Sequence, residues 1–213
     1  MNLTRFEEFI SQRKNIISFK PDVPEDELLL RLVAIAQKTS SLLELQPTRF
    51  VIVKSPFVKE KIMRASWTRP AVGSAPIFIA FAGDRNVSIP ADETLKESYE
   101  FLFSHKPLGF GWLCKALLVP FLRLFSPTPE LPAVHKRAWL YKELSLSAMH
   151  FMIAAETAGL SYSVIHLFDE NRVKRALNLP RSYVVPFILA LGYSKESASE
   201  RDILPLSDVI IRL

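Results

Sequence analysis

Two short apolar runs, residues 76–82 (PIFIAFA) and 184–191 (VVPFILAL), most constrain what this chain can fold into. Each is the length of a strand and rich in branched and aromatic side chains. Neither alternates with polar residues, so both faces of such strands must be covered. The segments between them carry helical signals, which points to a sheet flanked by helices on both sides. Residues 49–53 and 162–167 read as further strands, and the tail 208–213 as a last one.

Helices are expected over 3–13, 58–65, 93–104, 112–125, 134–158 and 170–177. A further helix is well signalled up to residue 36. Pro24 suits its first turn, and Glu25, Asp26 and Glu27 favour its positive end. Its run 28–36 is apolar almost all round, which predicts a buried central helix. Gly159 stands where the long helix 134–158 must stop. Residues 39–45 read as a loop.

At 213 residues the chain suits one domain spanning 1–213, with an irregular section at about 85–136. Six glycines are few, and no Gly-x-Gly-x-x-Gly or Gly-x-x-x-x-Gly-Lys run occurs, so Gly-rich phosphate loops are excluded. The net charge is +5, but the bases are scattered, which argues against nucleic acid as a partner. Cys114 is the one cysteine; no internal disulfide is possible, which fits a reducing, cytoplasmic setting. Residues 1–13 lack the apolar core of a signal peptide. The most apolar stretch, 108–125, is interrupted by Lys115, Pro120 and Arg123 and makes a poor membrane span. A buried or dimer-forming helix is the plainer reading, with a membrane-surface helix as the alternative.

His105, His135, His150 and His166 are scattered and form no metal-ligand pattern. No Gly-x-Ser-x-Gly elbow is present, and no catalytic acid, base or nucleophile stands out. A cofactor enzyme stays open, because there the cofactor carries the reactivity and the protein supplies the seat.

Four ordered segments resemble the nitroreductase family. In 11–19 (SQRKNIISF), Arg13, Lys14 and Phe19 match a basic motif, Asn15 replaces its serine and Ile17 its second base. In 40–51, Ser41, Gln46, Pro47 and Phe50 match, with Glu44 in place of an asparagine and Thr48 of a tryptophan. The third segment is Ala75-Pro76 opening a strand. The fourth begins with 146–160 (LSAMHFMIAAETAGL) and continues through Phe168-Asp169, Leu179-Pro180 and Leu191-Gly192-Tyr193. The family's Pro-x-Glu-Gly-Phe stretch reads Val164-Ile165-His166-Leu167-Phe168 here. The family's C-terminal Lys-x-Arg pair reads Arg201-Asp202-Ile203.

The resemblance implies an α/β (α+β) fold with a central, mostly antiparallel sheet flanked by helices, in an intertwined homodimer. It implies FMN as cofactor and NAD(P)H as reductant, with a nitro, quinone or other small organic acceptor. It also implies that 85–136 is a variable, lid-like section. Residues carried over as cofactor-binding are Arg13, Lys14, Asn15, Ser41, Gln46, His166 and Arg201.

Each has a plainer reading. Arg13 and Lys14 suit a helix C-terminus, Asn15 a helix stop and Ser41 a loop cap. Gln46 could brace a strand, Arg201 could be solvated, and His166 could be a core or interface residue. Isoleucine at 17 and 203 removes two of four expected cations, so the alternative is a related protein that binds or sequesters flavin or another ligand without efficient catalysis.

Overall fold

The computed structural model describes residues 2–11, 16–39, 45–86, 136–195 and 204–211. Among them are four strands: β1 (Thr48–Val53), β2 (Ile77–Asp84), β3 (Ser161–Ile165) and β4 (Tyr183–Gly192). They form one sheet in the order β1-β2-β4-β3, and every neighbouring pair is antiparallel. The two apolar runs are therefore the two central strands.

Alternation along them splits the core in two. Ile77, Ile79 and Phe81 of β2 join Phe187, Leu189 and Leu191 of β4 on one face. Phe78, Ala80 and Ala82 join Val185, Ile188 and Ala190 on the other. Helices α2 (Asp26–Gln37) and α4 (Lys136–Thr157) cover the first face. Helices α3 (Pro56–Arg64) and α5 (Glu170–Ala176) cover the second, together with Ile16 and Phe19. A first helix, α1 (Leu3–Ser11), buries nothing among the described residues.

Local chemistry sets the boundaries. Gly159 has φ +76°, a left-handed conformation that favours glycine. The Leu160 N–H reaches the Ala155 carbonyl and the Gly159 N–H the Glu156 carbonyl, both at 2.9 Å. That is a Schellman stop for α4. At α5, the Asp169 carboxylate accepts the Arg172 N–H at 3.0 Å and caps the first turn. Pro186 sits inside a central strand, but the β2–β4 register shifts beside it, between Phe81 and Gly83. A residue without an N–H is tolerated at such a bulge.

Three expectations need correction. Helix α2 is not buried all round: Leu29, Leu32 and Ala36 are, while Leu30 is 63% and Ile35 46% exposed. It packs on α4 by one stripe, flanked by the half-buried Leu28 and Val33. It also starts at Asp26, so Pro24 precedes it instead of forming its first turn. The tail forms a short helix, α6 (Leu206–Val209), where a strand was expected. Its turn closes by the Asp208 N–H on the Pro205 carbonyl at 3.0 Å. A strand needs a neighbour for its backbone groups, and none lies beside it among the described residues. The helices expected over 93–104 and 112–125 lie outside the described residues.

Candidate functional site

β1 begins and β3 ends at the same end of the sheet, because Thr48 pairs with Gly83, Gly83 with Val184 and Ile165 with Ile188. Gln46 precedes β1 and His166 follows β3, on opposite edges. Three interstrand steps separate those edges, at least about 14 Å. One copy of the chain does not bring these two expected cofactor residues together.

Gln46 is exposed and has φ +41°, an uncommon conformation for a residue with a side chain. The Arg49 guanidinium holds the turn, donating to the Gln46 carbonyl at 2.9 Å and the Thr48 carbonyl at 3.0 Å. Beside it lies a cavity of about 50 Å³, lined by Thr39, Gln46, Arg49, Glu143 and Ser147 among others. Glu143 is buried and accepts the Trp139 indole N–H at 3.0 Å. The buried Ser147 hydroxyl donates to the Ala36 carbonyl at 3.1 Å. The sequence reading did not single out these three. Their spacing, 139-143-147, was the available signal, because steps of four share a helix face.

The His166 segment is shaped by Pro186. Continued past Ile165, the β3–β4 register would set Leu167 opposite Pro186, which has no N–H to give. The chain turns instead toward the segment after α3. The Trp67 N–H donates to the Leu167 carbonyl and the Asp169 N–H to the Ala65 carbonyl, both at 2.8 Å. Ser66 and Phe168 form an isolated bridge between them. The result is an apolar shelf on which Trp67 is 75% and Leu167 67% exposed. His166 is exposed beside it, its ring edge-on to Phe187 at 6.5 Å. Within one chain it is therefore not a core histidine.

Arg13, Lys14, Asn15, Ser41 and Arg201 lie outside the described residues. The backbone leading to them is informative. The Lys20 N–H donates to the Tyr193 carbonyl at 2.8 Å and the Lys195 N–H to the Ser18 carbonyl at 3.2 Å. Phe19 bridges Ser194, and its N–H also donates to the Ser74 hydroxyl at 3.1 Å. Ser18 and Lys195 thus meet at one end of an antiparallel pairing, the end nearest in sequence to both 13–15 and 201. Ile17, where a second base was expected, is half-buried beside that pairing.

A second concavity was not anticipated. A cleft of about 470 Å³ runs between α3 and α5, lined by Lys61, Arg64, Ala65, Arg172, Arg175 and Ala176. Buried or paired bases elsewhere behave as supports. Burial lowers the Lys59 pKa, and its ammonium donates to the Ala75 and Pro76 carbonyls at 2.7 and 3.1 Å.

The model of the Nitroreductase family matches residues 10–193. The chain belongs to the nitroreductase family. Its relatives in that family are distant. An NADH dehydrogenase of Thermus thermophilus is 24% identical over 201 residues, covering 94% of this chain and 92% of that protein. MhqN of Bacillus subtilis, provisionally named an NAD(P)H nitroreductase, is 28% identical over 201 residues, covering 91% and 90%. A provisionally named nitroreductase of Exiguobacterium sibiricum, solved in complex with FMN, superposes with a TM-score of 0.72 at 18% identity, covering 100% of this chain and 99% of that one. The family is one of oxidoreductases, and the antiparallel sheet with helices on both faces is its fold. No helix among the described residues is long and apolar enough to cross a membrane.

Proposed function

We propose that the protein is an NAD(P)H-dependent FMN oxidoreductase that works as a homodimer in the cytoplasm. The observation that carries the reading is the paired backbone at Ser18 and Lys195. It brings together the described stretches that flank in sequence the two segments expected to grip a phosphate, 13–15 and 201. Arg13, Lys14, Asn15 and Arg201 would hold the FMN phosphate, which needs several cationic or amide donors.

The sheet end fits the ring. A flavin ring system has apolar faces and a polar rim. Trp67 and Leu167 offer an exposed apolar shelf. β3 is the sheet's edge, so half of its backbone groups have no ladder partner among the described residues. His166 stands at the rim as a hydrogen-bonding side chain. When bound, FMN supplies the hydride chemistry, between NAD(P)H and a nitro, quinone or other small organic acceptor. The protein's part is to bind, orient and exclude water, consistent with the lack of an evident acid or base.

The dimer follows from two features. Gln46 and His166 lie too far apart to complete one site from one chain, so a second copy would supply Ser41 and Gln46. Leu30 and Ile35 on α2, and Leu146 and Met149 on α4, are exposed apolar side chains on the same helical layer. The tail adds Val209, Ile210 and Ile211. Patches of this kind mark association surfaces. The same reading keeps 1–213 as one domain, with 85–136 as its variable section.

Ile17 favours a second reading, a weakened flavin seat that binds without efficient turnover. One experiment separates the two. Purified protein is incubated with FMN and passed through a sizing column calibrated for dimer mass. Flavin absorbance that co-migrates at dimer mass and bleaches with NADH or NADPH supports the oxidoreductase. Co-migration without bleaching supports the second reading, and no co-migration overturns both.

A further inference from the structure

The cleft between α3 and α5 collects four cations that the flavin reading does not use. Lys61 and Arg64 are three apart on α3, and Arg172 and Arg175 are three apart on α5. That spacing puts each pair on one helix face. The faces meet across a groove of about 470 Å³, a size suited to a small molecule. Ala65 and Ala176 are the groove's only other described lining residues, so small side chains leave space between the two basic walls.

Helix termini explain part of this arrangement and not all of it. Lys61, Arg64 and Arg175 lie in last turns, where cations complement the helix dipole. Arg172 lies in the first turn of α5, where the dipole disfavours a cation. Local carboxylates do not neutralise the set. Arg64 pairs with Glu60 at 2.6 Å and Arg172 approaches Asp169 at 4.0 Å. Among the described residues, Lys61 and Arg175 have no ion pair. Lys61 instead lies over the Phe57 ring, its ammonium 4.1 Å from the ring centre. Four cations therefore line one groove beside two carboxylates, an excess of positive charge that favours an anionic ligand there.

We propose that this cleft is a binding site for a small molecule carrying a diphosphate or two separate phosphoryl groups, one for each basic pair. Arginine forks grip phosphoryl oxygens in pairs, and a lysine adds a point charge. A single carboxylate or phosphate would engage one wall and leave the other unsatisfied. The site is separate from the flavin seat, and the proposal does not rest on the flavin reading.

The test is calorimetric titration of the purified protein with inorganic pyrophosphate, ADP and inorganic phosphate, for wild type and for the double variant R64Q/R175Q. Wild type should bind pyrophosphate and ADP at least about tenfold more tightly than phosphate. Binding should weaken steeply with added salt. R64Q/R175Q should lose about tenfold or more in affinity for both diphosphates. Thermal melting of R172Q separates ligand binding from structural support. It should melt no lower than wild type without ligand, and should lose the rise in melting temperature that pyrophosphate gives. Sedimentation with vesicles containing a phosphoinositide bisphosphate tests the other source of paired phosphoryl groups. Vesicle binding with no response to pyrophosphate or ADP overturns the proposal. So does equal affinity for phosphate and pyrophosphate, or diphosphate affinity unchanged in R64Q/R175Q.

Discussion

The Glu170 carboxylate accepts the backbone N–H of Val185 at 3.1 Å. Val185 lies at the β4 bulge, where one residue too many leaves a donor without its ladder partner. Glu170 also takes Arg137 at 2.7 Å, and Lys174 stands 3.9 Å away. One side chain thus ties α5 to the central strand and to α4. Arg137 is held more firmly protonated than usual, by its hydrogen bond to the Tyr141 hydroxyl and by the Glu170 charge. Glu170→Ala should cost roughly 1–3 kcal/mol, the range for leaving a buried donor unmet. Glu170→Gln keeps an acceptor and should cost less. Urea unfolding of the three proteins checks the order.

Of the two glycines in the sheet, Gly192 is more tightly enclosed than Gly83. A Cβ there would come within 2.6 Å of the Pro76 ring, which cannot rotate away. Gly192→Ala should destabilise by about 1–3 kcal/mol through overpacking. Gly73→Ala is the control, since its Cβ would meet only the flexible Met63 side chain at 3.5 Å. Thermal melts should show a large loss for the first and little for the second.

His166 is exposed and its ring contact is an edge-on one to Phe187 at 6.5 Å, so His166→Ala should leave stability within about 0.5 kcal/mol of wild type. If it borders the flavin, FMN affinity should fall by a few-fold to about tenfold, the value of one hydrogen bond. Fluorescence titration with FMN reads this directly. A stability loss with unchanged FMN affinity would return His166 to a structural role.

Ile17→Lys restores a base where the resemblance expects one. A charge-assisted hydrogen bond of about 1.5–3 kcal/mol should tighten FMN binding by about ten- to a hundredfold. Equilibrium dialysis against FMN and against riboflavin, which lacks the phosphate, isolates the effect. Tightening for both would show that the lysine does not act on the phosphate.

The strands show how much of the fold was legible. Residues 76–82 and 184–191 had to be central because both of their faces are apolar, and burial follows composition there. The stop at Gly159 was equally readable, since the left-handed turn it makes is a local property of glycine. The tail, expected as a strand over 208–213, was misread because whether it extends or coils depends on a neighbouring strand, which is not encoded locally. α2 was misread for a related reason: apolar content shows which side chains favour burial, but not whether a neighbouring element covers them.

The candidate site divides in the same way. Family motifs named Gln46 and His166 from the sequence, because those residues lie in short local patterns. That they stand on opposite edges of the sheet follows only from the strand order. The cationic cleft was invisible, because Lys61 and Arg175 are far apart in sequence and each alone is an ordinary surface base. Local backbone preference and hydrophobic pattern determined the strands and helices. Tertiary packing alone decided which charges meet, because electrostatic contacts depend on distance in space and not along the chain.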